Sequence, residues 1–193
     1  NTAFASIGMD LGADALREQA EKFGFNNSFQ VPLRAAQSRF PADLDPAQTA
    51  MAAIGQFDVT ATALQMAMVG AGIGDNGQVM NPYLVAQTLS PELEVLSNAE
   101  PSAFSQAMTP SNSAELLAMM VAVVEQGTGS NAKIPGVVVG GKTGTAQTAA
   151  GRPPHAWFVG VAPADVPGQA QVAVAVVLQN GGGAAEISGN KLA

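Results

Sequence analysis

Val137-Val138-Val139-Gly140-Gly141-Lys142-Thr143-Gly144-Thr145 is the stretch that decides how this chain is read. A β-branched run leading into Lys-Thr-Gly-Thr predicts a strand from Val137 to Gln147, with one cation and two hydroxyls at its edge. Side chains alternate along a strand, so Thr143 and Thr145 share one face, with Lys142 on the other face or at its rim. Gly144 leaves no side chain between the strand and an approaching backbone. A peptide laid along such an edge gains main-chain hydrogen bonds. Its carboxylate would meet two hydroxyls and an ammonium group. An isolated edge lysine is ordinarily only solvated; the flanking threonines and glycine are what make this one a candidate.

The same letters satisfy the phosphate-loop pattern, since Gly136 stands six residues before Lys142-Thr143. That reading fails on context. A phosphate loop needs a strand before its glycines and a helix N-terminus at the Lys-Thr pair. Here the apolar run fills the variable positions, and Gly144 and then Gly151-Arg152-Pro153-Pro154 oppose a helix. No aspartate closes the other apolar run, Val172 to Leu178, which passes into Gln179-Asn180.

Composition narrows the classes further. The chain has 193 residues, 47% of them apolar, enough for one domain or most of one. Net charge is −7 with eight Lys plus Arg, which argues against a nucleic-acid face. Lys133, Lys142 and Arg152 nevertheless cluster around the motif, which suits an anionic small ligand or a peptide terminus. With no Cys and one His, neither a disulfide nor a zinc site is expected, and no cofactor is implied. The longest apolar stretch, Val172 to Leu178, has strand length and is far too short to span a bilayer as a helix. The chain opens Asn1-Thr2-Ala3-Phe4 without an initiator Met, and the expectation is that further sequence precedes it.

Along the chain, helices are expected over Gly12 to Phe23, from the Thr60/Thr62 caps to Ile73, and from Ser111 to Gln126 behind Thr109-Pro110. Residues 25–56, with Pro32, Pro41 and Pro46, read mostly as loop, and Tyr83–Leu89 with Glu94–Leu96 as a small hairpin. Val137–Gln147, Ala156–Val161 and Gln171–Leu178 read as three strands joined by short turns, hence antiparallel. Ala184 to Lys191 suggests a last helix.

These pieces together resemble a known family. Lys142-Thr143-Gly144 is similar to the Lys-Thr-Gly motif of penicillin-binding proteins and serine β-lactamases. Asn1 resembles the Asn that ends their Ser-x-Asn motif. Ile54 to Thr62 with Leu64-Gln65-Met66-Ala67, Asn81-Pro82-Tyr83, Val124 to Gly129, and His155-Ala156-Trp157-Phe158-Val159-Gly160 agree in type and order. The resemblance covers nearly the whole chain and points to the class B, monofunctional type. It implies an α+β fold, an antiparallel sheet flanked by helices. It also implies that residues 1–193 are the C-terminal part of a single transpeptidase domain.

The resemblance further implies serine acyl transfer, with peptidoglycan stem peptides ending in D-Ala-D-Ala as substrates and β-lactams as inhibitors. Ser130-Asn131-Ala132-Lys133 and Ser188-Gly189-Asn190-Lys191 have the Ser-x-x-Lys spacing, but both follow Asn1, whereas the resemblance implies a Ser-x-x-Lys that precedes the Ser-x-Asn. The nucleophile and its lysine are therefore expected upstream, and the serine of Ser-x-Asn with them. By the resemblance, Asn1 would hold the substrate amide and orient that upstream lysine. Lys142 would place positive charge near the Ser-x-Asn serine and the substrate carboxylate. Thr143 and Thr145 would bind the carboxylate through their hydroxyls. The Thr145 N–H would be one oxyanion-hole donor, beside Gly144. A membrane-anchored, extracytoplasmic protein of cell-wall synthesis, serving division or cell shape, is the implied setting, with other cell-wall proteins as partners. A carboxypeptidase or β-lactamase relative, a non-enzymatic β-lactam sensor, and an inactive scaffold for the isolated fragment are the alternatives. His155 is read as structural rather than as a base. Phe57 stands where many relatives have glycine, and this departure has no interpretation from the sequence.

Overall fold

The computed structural model describes residues 1–149 and 151–181. The helix expected over Ala184–Lys191 lies outside them. Chain order begins with helices α1 (Thr2–Leu11), α2 (Ala13–Lys22), α3 (Pro46–Ala52) and α4 (Ala63–Gly74). Short strands β1 (Gln78–Met80), β2 (Gln87–Leu89), β3 (Val95–Asn98) and β4 (Ala103–Gln106) follow, then α5 (Pro110–Gln126). Strands β5 (Gly140–Ala146), β6 (His155–Ala162) and β7 (Val172–Leu178) close the described chain.

The last three strands form one antiparallel sheet in the order β5-β6-β7, as the turn-linked apolar runs predict. The other strands make two separate pairs, β1 with β4 and β2 with β3. The second is the expected hairpin, with Ser90 and Glu94 closing its turn.

Helix α4 is the element around which the rest is packed. Thr62 caps it, its hydroxyl accepting from the Gln65 N–H at 3.1 Å. On one side Ile73 joins Leu117, Met120, Val161 and Ala164 in a buried cluster. On the other, Met68 joins Phe29, Val79 and Ala107. A helix buried on two sides must come close to its neighbours, and α4 does so at small residues. A methyl group on Gly70 would sit 2.9 Å from a Val159 methyl, and one on Gly74 2.6 Å from that of Ala170. Buried Gln65 is satisfied by donating to the Phe23 carbonyl at the end of α2, at 2.6 Å.

Helix α5 starts at a Thr109 cap with Pro110 in its first turn. Its buried face, Ser113, Leu117, Met120 and Val124, has helical spacing. The Ser113 hydroxyl donates to the Ile73 carbonyl at 2.6 Å, so a buried polar bond fixes α5 on α4.

The structure adds two features to the expected elements and corrects one. Residues 25–56 are mostly loop, as expected, but they also hold a helix not expected there, the seven-residue α3 at Pro46–Ala52. Its signal was an Asp45-Pro46-x-Gln48 capping box, in which Asp45 accepts from the Gln48 N–H and Gln48 accepts from the Asp45 N–H. The strand expected from Val137 begins only at Gly140. Gly136, at φ 79°, turns the chain so that Val137 makes an isolated bridge with Ile134. The β1–β4 pair has no counterpart among the expected elements, its strands being only three and four residues long. Among the described residues no helix is long and apolar enough to cross a membrane.

Candidate active site

Strand β5 has β6 on one side and no strand on the other among the described residues. Lys142 stands opposite Val159, Thr143 opposite Phe158, Gly144 opposite Trp157 and Thr145 opposite Ala156. The phosphate-loop reading is therefore excluded by structure as well as context: Lys142 and Thr143 lie inside a strand, not at a helix N-terminus.

The two halves of β5 are held differently. At its start α5 lies against two glycines. A methyl group on Gly140 would be 3.3 Å from the Met120 Cβ, and one on Gly141 would be 2.5 Å from the Phe158 ring. Phe158 itself is buried beneath this contact, while Trp157 on the opposite face is half-buried. From Lys142 onward the side chains are open, and Lys142 and Thr145 are exposed.

Backbone direction along this half matters most. In an antiparallel pair, the N–H and C=O of one residue point together, toward the partner strand or away, alternating along the chain. The Thr143 and Thr145 carbonyls both accept from side chains that do not belong to β6, so the odd-numbered positions face away from that strand. Thr143 and Thr145 thus point outward. Their carbonyls are met by side chains, Lys142 Nζ donating to Thr143 and Gln56 Nε2 donating to Thr145 at 3.3 Å. The Thr145 N–H shares that outward direction.

A second hydroxyl joins the site from the loop after α5. Thr128 Oγ1 lies 2.7 Å from Thr143 Oγ1. Of the three cations near the motif, Lys133 is paired with Glu125 at 3.3 Å, whereas Lys142 has no ion-pair partner among the described residues. His155, at the start of β6, accepts from the Asn180 N–H through Nδ1 at 2.9 Å, which ties the end of β7 to β6 and fits the structural reading. Asn1 is exposed at the start of α1, its side chain making no capping bond. Helix α1, which follows Asn1, packs chiefly on α3 and α2.

Lys142, Thr143, Gly144 and Thr145 are therefore grouped, and Gln56 and Thr128 are additions. Each of the two lies in a segment that carries the family resemblance, yet neither has a charge or spacing that marks it as functional.

An outward strand edge with a lysine and two threonines, beside a helical layer, is a surface to which an extended peptide ending in a carboxylate can add. The chain belongs to the penicillin-binding protein transpeptidase domain family, which matches residues 1–193. Among relatives, it is similar to the peptidoglycan D,D-transpeptidase PbpA of Mycolicibacterium smegmatis, 39% identical over 197 residues and covering all of this chain and 39% of that protein. It is also similar to structures of penicillin-binding protein A from M. tuberculosis. The imipenem acyl-enzyme complex aligns with a TM-score of 0.87 at 39% identity, over 94% of this chain and 41% of that one. The penicillin G acyl-enzyme complex aligns at 0.89 and 37%, over 100% and 43%. The chain thus spans about two fifths of the length of these relatives.

Proposed function

We propose that this domain works in a peptidoglycan D,D-transpeptidase that is also acylated by β-lactams. The observation that carries the reading is the outward direction of Thr143 and Thr145 on an open strand edge beside Lys142. A stem peptide added antiparallel to β5 would meet main-chain donors and acceptors at Thr143 and Thr145. Its carboxylate would be held by the Thr143 and Thr145 hydroxyls and the Lys142 charge. The Thr145 N–H would stabilise the oxyanion of the tetrahedral intermediate, and losing such a donor typically costs about 2.7–4 kcal/mol.

The serine that attacks the carbonyl between two D-alanines, and its lysine, would be supplied from outside these 193 residues: the Ser130-x-x-Lys133 and Ser188-x-x-Lys191 spacings both follow Asn1 in the chain, and Lys133 is paired with Glu125. Attack expels D-alanine and leaves an ester on the serine. An amine of a neighbouring stem then displaces the serine and forms the cross-link. Asn1 would reach the substrate amide once the upstream part is in place. Such chemistry belongs at the outer face of the cell membrane, with an anchor preceding this domain. Water in place of the amine would make the protein a carboxypeptidase.

The test is labelling by a fluorescent penicillin of a form extended upstream to include Ser-x-x-Lys. Label on that form, reduced about tenfold or more in Lys142→Ala, supports the assignment. Absence of label on the extended form refutes acyl transfer.

A further inference from the structure

We propose that Gln56 is a displaceable placeholder, occupying on β5 the position that the acyl donor's own N–H takes when it binds. The inference rests on the acyl-transfer reading above. Its starting point is the bond from Gln56 Nε2 to the Thr145 carbonyl, which joins the turn after α3 to a strand 89 residues away.

Two residues that face each other as a hydrogen-bonded antiparallel pair exchange both of their bonds. Thr145 points its N–H and C=O outward together, so an acyl residue seated opposite it uses both. The scissile carbonyl accepts from the Thr145 N–H, and the N–H of that same acyl residue donates to the Thr145 carbonyl. In the empty site, Gln56 already donates there.

The bond has the character of something made to be broken. At 3.3 Å it is long for an N–H···O contact and it is exposed. A neutral carboxamide protects an open strand edge when no ligand is present, as edges generally require. The turn that presents Gln56 is backbone-specialised on both sides, with Gly55 at φ 72° and Phe57 at φ 62°. A phenylalanine in the left-handed region carries a backbone cost, and such costs gather at sites where direction matters.

Donors that carry an N–H on the acyl residue must displace Gln56; donors without one need not. Penicillin G carries this N–H in its acylamino group, whereas imipenem has a hydroxyethyl group there. Second-order acylation rate constants for both drugs are measured on the upstream-extended protein and on Gln56→Ala. The expected result is a rise of about threefold or more in the penicillin G to imipenem ratio, the size of a weak hydrogen bond. Gln56→Glu, which cannot donate at neutral pH, should move the ratio the same way. The ratio cancels any loss of folded protein. An unchanged ratio, or equal slowing for both drugs, overturns the placeholder and leaves acyl transfer standing. Failure of the parent protein to react with either drug overturns the acyl-transfer reading, and the placeholder with it.

Discussion

The hydroxyls of Thr128 and Thr143 are 2.7 Å apart, so the loop that ends α5 is bonded directly to the candidate binding strand. Only one of the two can donate within the pair. When Thr128 donates, the Thr143 proton is left to point at a bound carboxylate, and the hydroxyl is oriented before any ligand arrives.

Thr128→Val keeps the shape and removes the partner. Acylation of the extended protein by a penicillin should fall by about threefold to tenfold, while Thr128→Ser should retain most of the rate. Stopped-flow or gel-based labelling rates decide this; a Val variant as fast as the parent would show that Thr143 needs no orienting partner.

Gly141→Ala should destabilise the protein by about 1–3 kcal/mol. The added methyl would lie 2.5 Å from the Phe158 ring, which is buried and has little room to move. Urea unfolding of the two forms measures the difference.

Ser113→Ala removes the hydroxyl that reaches the Ile73 carbonyl at the end of α4, at a site only 1% exposed. The carbonyl loses its side-chain partner in a buried place, at a cost of about 1–3 kcal/mol. Thermal unfolding should show a lowered midpoint. No change would mean that another donor reaches the carbonyl.

Phe57→Gly should stabilise the protein by about 1 kcal/mol. The residue sits at φ 62° with its side chain 48% exposed, so glycine relieves the backbone and gives up little packing. A higher midpoint of thermal unfolding is the expected outcome. A lower one would show that the ring does packing work its exposure conceals.

What the sequence revealed and what it hid follow from the range of each interaction. Helices α2, α4 and α5 carry local signals, namely caps at Thr62 and Thr109 and apolar spacing, and they were legible. The β5-β6-β7 sheet was legible because its turns are short and its runs apolar. Helix α3 is hidden in the sequence because Pro46, which favours a first helical turn beside Asp45 and Gln48, follows Pro32 and Pro41 in a stretch of polar turns. Lys142, Thr143 and Thr145 were legible as a contiguous motif. Gln56 and Thr128 were not, since each is defined by one contact distant in sequence, 89 residues away for Gln56 and 15 for Thr128. No periodicity encodes such a contact. Phe57, unexplained in the sequence, is seen in the structure to hold a left-handed turn beside Gln56.

Strand β5 is gripped by α5 at Gly140 and Gly141 and runs out to Thr145 with β6 as its one neighbouring strand among the described residues, only the Thr128 and Gln56 side chains touching its outer half from the other side. Mechanically it is a cantilever. A small tilt at the gripped end becomes a larger sideways shift at the tip, where the ligand would be read. Sequence changes under α5, out of reach of any drug, would therefore tune drug reactivity through leverage, and resistance could arise at the root of the strand rather than at its tip.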